Sequence, residues 1–203
     1  LLTFIIVCLT LLMSITGVVL AAGAGTRMGT PKALLRAPDG ASWVAVASGL
    51  LLDAGCDRVV VVLGASASSV RMPTDASITS VVNPDWASGM ASSLRAGLAA
   101  ATGDAALVTV VDMPELPVAV ARRVIGSGAP LARAVFDGRP GHPVLIASEH
   151  WAPIAASVSG DHGARSYLDA HGVLDVECGD LYDGHDLDTP PLAPPHPPMP
   201  PVE

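Results

Sequence analysis

Short apolar runs and longer stretches with helical spacing alternate along most of this 203-residue chain. Ile15–Leu20, Val59–Leu63, Ile78–Val82 and Ala106–Val111 are aliphatic, mostly β-branched runs bounded by turn residues, the pattern of strands in a sheet. Residues 41–54 and 90–101 carry apolar positions over helical lengths, and Gly55 is placed to cap the first of these helices. A third helix is predicted from Pro117 to about Ile125, with Pro117 in its first turn. Leu131–Phe136 and Pro143–Ile146 read as strands separated by the turn-rich stretch 137–141. Short helices over 151–158 and 164–170 precede a last strand, Val173–Glu177. No internal repeat is evident. The alternation predicts a three-layer α/β/α sandwich around a mostly parallel sheet.

The two ends break this pattern. Residues 1–12 are apolar, but no Lys or Arg occurs before Arg27, and no small-residue cleavage site precedes a polar start, so a secretory signal is not indicated. A membrane span would have to consume the first strand and the loop after it. The expected organisation is therefore an upstream extension over 1–12, a natural start at Met13, one domain over 13–189 and a Pro-rich extended tail over 190–203.

Composition narrows the partners. Half of the residues are hydrophobic, enough for one good core. A net charge of -8 argues against a nucleic-acid-binding face, because a phosphate backbone would be repelled. A small anionic ligand stays open if a local cationic loop or a metal offsets that field. Cys8, Cys56 and Cys178 are isolated, with no CxxC pair. They read as buried or inert thiols of a cytoplasmic protein, not as a disulfide framework or a zinc site.

The strongest chemical signal is the loop Leu20-Ala-Ala-Gly-Ala-Gly-Thr-Arg-Met-Gly-Thr-Pro-Lys32. Gly23, Gly25 and Gly29 let the backbone turn tightly and approach a ligand, and Arg27 and Lys32 add positive charge. The spacing is G-x-G-x-x-x-G, one residue too long for a dinucleotide fingerprint, and the next strand ends in Gly64-Ala65-Ser66 where that fold needs an acid for the ribose. Gly29 is followed by Thr30-Pro31-Lys32, so a P-loop does not fit either. A bare strand-to-helix turn would not need both cations, which leaves a polyphosphate loop of another kind. In open parallel sheets ligands bind beyond the carboxyl ends of the strands, so this loop, Gly64, Asn83 and Asp112 should face one crevice. Asp112 follows an apolar strand. A turn-forming Asp is its ordinary role there, but beside a phosphate loop a carboxylate suits Mg²⁺. Asp186-Leu187-Asp188-Thr189 reads either as an acidic surface turn or as the source of a second acid, Asp188 ahead of Asp186.

Residues 20–32 resemble the signature loop of the MobA-like nucleotidyltransferases, the family of the molybdenum-cofactor cytidylyl- and guanylyltransferases. The Ala-Ala-Gly opening and Pro-Lys ending are more similar to the cytidylyl branch. Asn83-Pro84-Asp85-Trp86, Gly89-Met90, Ser93-Leu94, Val111-Asp112-Met113-Pro114, Gly141-His142-Pro143 and 160–165 follow in the family's order, so the likeness spans about 15–189. It implies a Rossmann-like, GT-A-like nucleotidyltransferase fold. It also implies Mg²⁺-dependent transfer of a nucleoside monophosphate, CMP from CTP foremost, to a phosphorylated acceptor such as molybdopterin. Pyrophosphate would leave, and the product would pass to a molybdoenzyme or its chaperone. On this likeness Arg27, Lys32 and Asp112 are catalytic. Leu20, Ala21, Ala22, Gly23, Gly25, Gly29, Gly64, Ala65, Asn83, Gly89 and Ser93 hold the nucleotide, His142 and Arg165 meet the acceptor, and Asp112 and Asp188 bind the metal. The helix that usually follows the acidic motif is replaced by the Pro-rich tail. Asp161 and Arg165 either pair with each other or reach the acceptor's phosphate. An attacking phosphate is already ionised, so the lack of a Ser-His-Asp or Cys-His set is consistent with this chemistry. Two other readings share the fold: an NAD(P)H-dependent oxidoreductase, the label nicotine blue oxidoreductase being carried by relatives with this pattern, and a non-catalytic cofactor-binding chaperone. No nucleic acid and no membrane are expected as partners.

Overall fold

The computed structural model describes residues 13–161 and 163–187. The expected extension over 1–12, with Cys8, and the acid Asp188 lie outside the described residues, as does the tail over 190–203.

Seven strands form one sheet in the order β3-β2-β1-β4-β6-β5-β7. They are β1 (Ile15–Ala21), β2 (Arg58–Leu63), β3 (Ile78–Val82), β4 (Ala105–Val110), β5 (Leu131–Phe136), β6 (Arg139–Ala147) and β7 (Leu174–Glu177). All are mutually parallel except β6, which runs antiparallel to both β4 and β5. Every residue of β1 is buried, as a central strand covered on both faces requires. Ile15 and Val19 pack with α1 (Trp43–Ala54) and α3 (Val118–Gly126) on one face. Val18 and Leu20 pack with α2 (Met90–Ala100), α4 (Trp151–Ser157) and α5 (Arg165–Ala170) on the other. This is the expected three-layer sandwich.

Local chemistry explains the element ends. Ser42 caps α1 by accepting a hydrogen bond from the Ala45 amide at 3.1 Å. Gly55 ends that helix in the left-handed region at φ 111°. Pro117 stands one place before α3, at its N-cap, and not in its first turn. The largest departure from the sequence pattern is β6, which begins at Arg139 instead of Pro143. Asp137 and Gly138 both take positive φ, at 52° and 74°, so the β5–β6 connection is a tight two-residue hairpin and Phe136 pairs directly with Arg139. Residues 139–141 of the turn-rich stretch are therefore strand, and His142 is carried on it.

Cys56 and Cys178 are buried and free. Burial first, then the nearby Asp57 carboxylate, pushes the Cys56 thiol up to about 12, which keeps it protonated. Among the described residues no helix is long and apolar enough to cross a membrane.

Candidate functional site

A cavity of about 560 Å³ opens beyond the carboxyl ends of β1 and β4. Residues 20–28 of the glycine loop line it, together with Lys32, Gly89, Ser93 and Asp112. The loop's shape is set at Gly25. Its φ is +62°, and a Cβ there would lie 2.0 Å from the Thr30 carbonyl oxygen, so only glycine fits. The Met28 amide donates to the Gly25 carbonyl at 3.0 Å and closes the turn. Gly23 is different: its backbone is unstrained and a Cβ would meet nothing within 4 Å. The fold does not need a glycine there, which leaves the backbone open to the cavity.

Lys32 stands on a short 3-10 turn, Lys32–Leu34, and its Nζ reaches Asp112 Oδ2 at 2.7 Å. The pair joins residues 80 positions apart across the cavity. Asp112 lies just past β4, and its carbonyl accepts a hydrogen bond from the Leu187 amide at 2.9 Å. That bond brings the last described segment to the site, so Asp186 joins the same lining. The second carboxylate oxygen of Asp112, Oδ1, is buried and accepts no hydrogen bond. The chemistry of an orphaned carboxylate oxygen beside a glycine-rich loop suits a cation. Among the described residues no group of three or more His, Cys, Asp or Glu side chains is arranged to hold a metal ion. Mg²⁺ does not require one, since it takes one or two carboxylates and completes its shell with water and phosphate oxygens. Asp112 with Asp186 fits that donor set.

Several expected nucleotide contacts are not part of the cavity lining. Gly29, Gly64, Ala65 and Asn83 are outside the lining. A Cβ on Gly64 would be 2.5 Å from the Ala22 carbonyl oxygen and 2.7 Å from Trp86 Cβ, so this glycine lets the loops after β1 and β2 close together. The Ala65 amide donates to Ala22 at 3.1 Å and ties them. Asn83 is buried, and its Nδ2 donates to Ser92 Oγ at 2.8 Å and Ser93 Oγ at 3.1 Å. Its Oδ1 accepts from the Asp85 amide at 3.0 Å. With both ends of the amide engaged inside the protein, Asn83 props Ser93, and Ser93 faces the cavity.

At Gly89 (φ 110°) a Cβ would lie 2.5 Å from the Gly160 carbonyl, and the Ala91 amide donates to that carbonyl at 3.0 Å. The start of α2 thus seats the loop before α5. This places Asp161 between the first cavity and a second one of about 300 Å³, which also share Leu20 and Met90. The second cavity lies between the sheet and helices α2 and α5, and Leu94, Val108, Val144 and Leu168 make its apolar wall. His142 and Arg165 both line it. His142 is half-buried with Nδ1 3.4 Å from the Val108 carbonyl. Burial lowers its pKa below the ordinary value, Arg165 adds to that, and the Val108 carbonyl and Asp112 only partly oppose it. The imidazole is neutral at pH 7. Among the described residues no ion pair joins Asp161 to Arg165.

Arg133 lines this cavity too and was missed in the sequence. It is a buried cation on β5, held by Asp175 at 2.6 Å and Asp169 at 2.7 Å. Burial works against its charge, but the bonds to Asp175 and Asp169 outweigh it and raise its pKa. One charged residue inside the otherwise apolar run Leu131–Phe136 was the available signal.

Residues 17–176 match the family model described as the MobA-like NTP transferase domain. Nicotine blue oxidoreductase of Paenarthrobacter nicotinovorans is 41% identical over 189 residues, 86% of this chain and 92% of that protein. Molybdenum cofactor cytidylyltransferase of Escherichia coli K12 is 27% identical over 185 residues, 80% of this chain and 91% of that protein. Among solved structures, Rv0371c from Mycobacterium tuberculosis H37Rv superposes with a TM-score of 0.74 at 31% identity, covering 87% of this chain and 94% of that one. Another structure of Rv0371c is a manganese complex. The chain belongs to the MobA-like NTP transferase family and is a nucleotidyltransferase by domain.

Proposed function

We propose that this member of the MobA-like NTP transferase family transfers CMP from CTP to the phosphate of a small acceptor, with Mg²⁺ and with release of pyrophosphate. The molybdopterin cofactor is the leading acceptor, and the product passes to a molybdoenzyme or its chaperone in the cytoplasm. The observation that carries this reading is the Lys32–Asp112 pair across the glycine loop, with Asp112 Oδ1 buried and unpartnered. Such an oxygen costs about 1–3 kcal/mol when nothing satisfies it, and a bound cation removes that cost.

Asp112 would hold the metal, with Asp186 or Asp188 as the second acid. Bound there, Mg²⁺ would withdraw charge from the α-phosphate and the departing pyrophosphate. The protein's own groups do the rest. The backbone at Gly23 and Gly25 admits the phosphates closely, Arg27 offers a planar fork and Lys32 a point charge. Before substrate arrives, Lys32 neutralises Asp112. With its carboxylate partner shared, the Lys32 ammonium would be within the cavity to pair with the phosphates. Ser93, propped by Asn83, lies at the wall that meets the base. Arg165 binds the acceptor phosphate, and the neutral His142 adds a hydrogen bond without adding charge. An acceptor oxygen forms the new bond to the α-phosphorus as the bond to the pyrophosphate oxygen breaks. No general base is needed, because the attacking phosphate is ionised near neutral pH.

Pyrophosphate release, measured for CTP, GTP, ATP and UTP with Mg²⁺ and molybdopterin, tests the reading. CTP should be the preferred donor, and Lys32→Ala or Asp112→Ala should abolish release. Near-wild-type release from either variant would overturn it. A second reading, NAD(P)H-dependent reduction, is favoured by the name of the relative at 41% identity. The late third glycine and the missing ribose acid weigh against it. NADPH consumption, followed by absorbance with a quinonoid dye as oxidant, separates the two.

A further inference from the structure

We infer that Glu177 and Tyr182 are positioning residues, which with the β5–β6 hairpin seat Asp186 at the first cavity as the second acid for the metal. The metal's place at Asp112 rests on the nucleotidyl-transfer reading. The anchoring of the segment does not.

Past β7 the described chain runs through 178–187 with neither helix nor strand. Such a segment has no ladder to offset its ordering entropy, so its place must come from specific contacts. Its far end reaches the site: the Leu187 amide donates to the Asp112 carbonyl at 2.9 Å, and Asp186 lines the first cavity.

The near end is fixed by Glu177. Its Oε1 accepts from the amides of Gly179 at 2.8 Å and of Asp137 and Cys178 at 3.1 Å each. Its Oε2 accepts from the Gly138 amide at 3.2 Å. One carboxylate thus ties the exit of β7 to both turn residues of the hairpin, through bonds of the stronger, charge-assisted class. A Cβ on Gly179 would lie 2.9 Å from Glu177 Oε1, so the glycine lets the carboxylate close in.

The middle is fixed by Tyr182. Its ring stands edge-on to Phe136, with centroids 5.7 Å apart, and its hydroxyl donates to the His185 carbonyl at 2.7 Å. That bond folds the chain over Gly184, whose φ is 76° and where a Cβ would run into the Phe136 ring. Arg139 Nη2 donates to the Asp183 carbonyl at 3.2 Å from the other arm of the hairpin. Neither Glu177 nor Tyr182 lines the first cavity, so both act through Asp186. A carboxylate already in place needs no further ordering when a cation arrives. Metal affinity therefore follows the fraction of molecules in which the segment is seated.

The test is Mn²⁺ binding to the full chain, read from the free-ion EPR signal, with hydrogen–deuterium exchange at 183–187 in parallel. Tyr182→Phe keeps the ring on Phe136 and loses only the hydroxyl bond, so the Kd for Mn²⁺ should rise by about threefold. Glu177→Ala should raise it by at least about tenfold. Glu177→Gln, whose amide oxygen can still accept from the same N–H groups, should recover most of that loss. Both Tyr182→Phe and Glu177→Ala should speed exchange at 183–187. In an Asp186→Asn background neither should weaken Mn²⁺ binding further, whereas a general loss of stability would add to it. Unaltered Mn²⁺ affinity in both variants, or an equal further loss in Asp186→Asn, overturns the inference while the transfer reading stands. Unaltered affinity in Asp112→Asn sinks the metal's place in the transfer reading. Exchange at 183–187 that is unaltered in Glu177→Ala overturns the anchoring in either case.

Discussion

The two neighbouring cavities are built on opposite plans. The first is built around one contiguous stretch, residues 20–28, and is closed by an ion pair between Lys32 and Asp112. The second is made from side chains of β1, β4, β5, β6, α2 and α5, none of them adjacent in sequence across elements. Backbone conformation shapes the first and packing shapes the second. A phosphate chain is the same in every nucleotide, so a loop held by glycines can serve a whole family. On the proposed reading the second cavity takes the acceptor, and a wall of replaceable side chains is where differences between acceptors would be placed.

Breaking the first cavity should have the largest effect. Asp112→Asn keeps the shape but removes the charge that faces Lys32 and would face the metal. Turnover should fall by roughly 10²–10³, with the melting temperature little changed, as read by pyrophosphate release beside a thermal melt. Gly25→Val tests the backbone half of the same cavity. The left-handed φ and the 2.0 Å clash with Thr30 O force the loop to move, so kcat/KM should drop by about a hundredfold with the helix content intact by circular dichroism.

Changes in the second cavity should be smaller and selective. Leu168→Phe should raise the KM for the acceptor by about tenfold while the KM for CTP is unaltered, since Leu168 lines only the second cavity. Equal effects on both substrates would erase the distinction between the cavities. The smallest effect concerns acid. His142 is held neutral in the fold, its pKa lowered by burial, whereas in the unfolded chain it takes up a proton near about 6.5. Below that pH the unfolded state binds more protons, so stability is lost as the pH falls toward the lowered native value. Melts between about pH 7 and pH 5 should show a loss of stability that is reduced in His142→Gln.

The strand and helix positions were legible because apolar periodicity records which faces are covered. Ile78–Val82 and Leu131–Phe136 appear with the bounds read from the chain, and most others shift by a residue or two. The exception is instructive. β6 begins four residues early because Asp137 and Gly138 make a two-residue hairpin, and a turn-rich composition does not tell a tight turn from a long one. In the site, the glycine loop and its two cations were legible together, since a glycine's freedom and a cation's charge are local properties. Asn83 was not. Its place after β3 points at the crevice, yet it is not part of the lining, and its hydrogen bonds go to Ser92, Ser93 and Asp85. Arg133 was hidden in an apolar run, because its carboxylate partners are 36 and 42 residues away.

Local order along the chain was enough to establish the alternating elements, the covered central strand and a phosphate loop of neither the dinucleotide nor the P-loop kind. Each follows from interactions within a few residues: φ at a glycine, the period of apolar positions, the charge at one turn. Only the folded sheet decided that β6 would insert antiparallel between β4 and β5, that Lys32 would meet Asp112 and leave one buried oxygen vacant, and that Arg133 would border a second cavity. Those depend on which distant surfaces pack together, and burial energy is shared among all of them before any one contact is chosen.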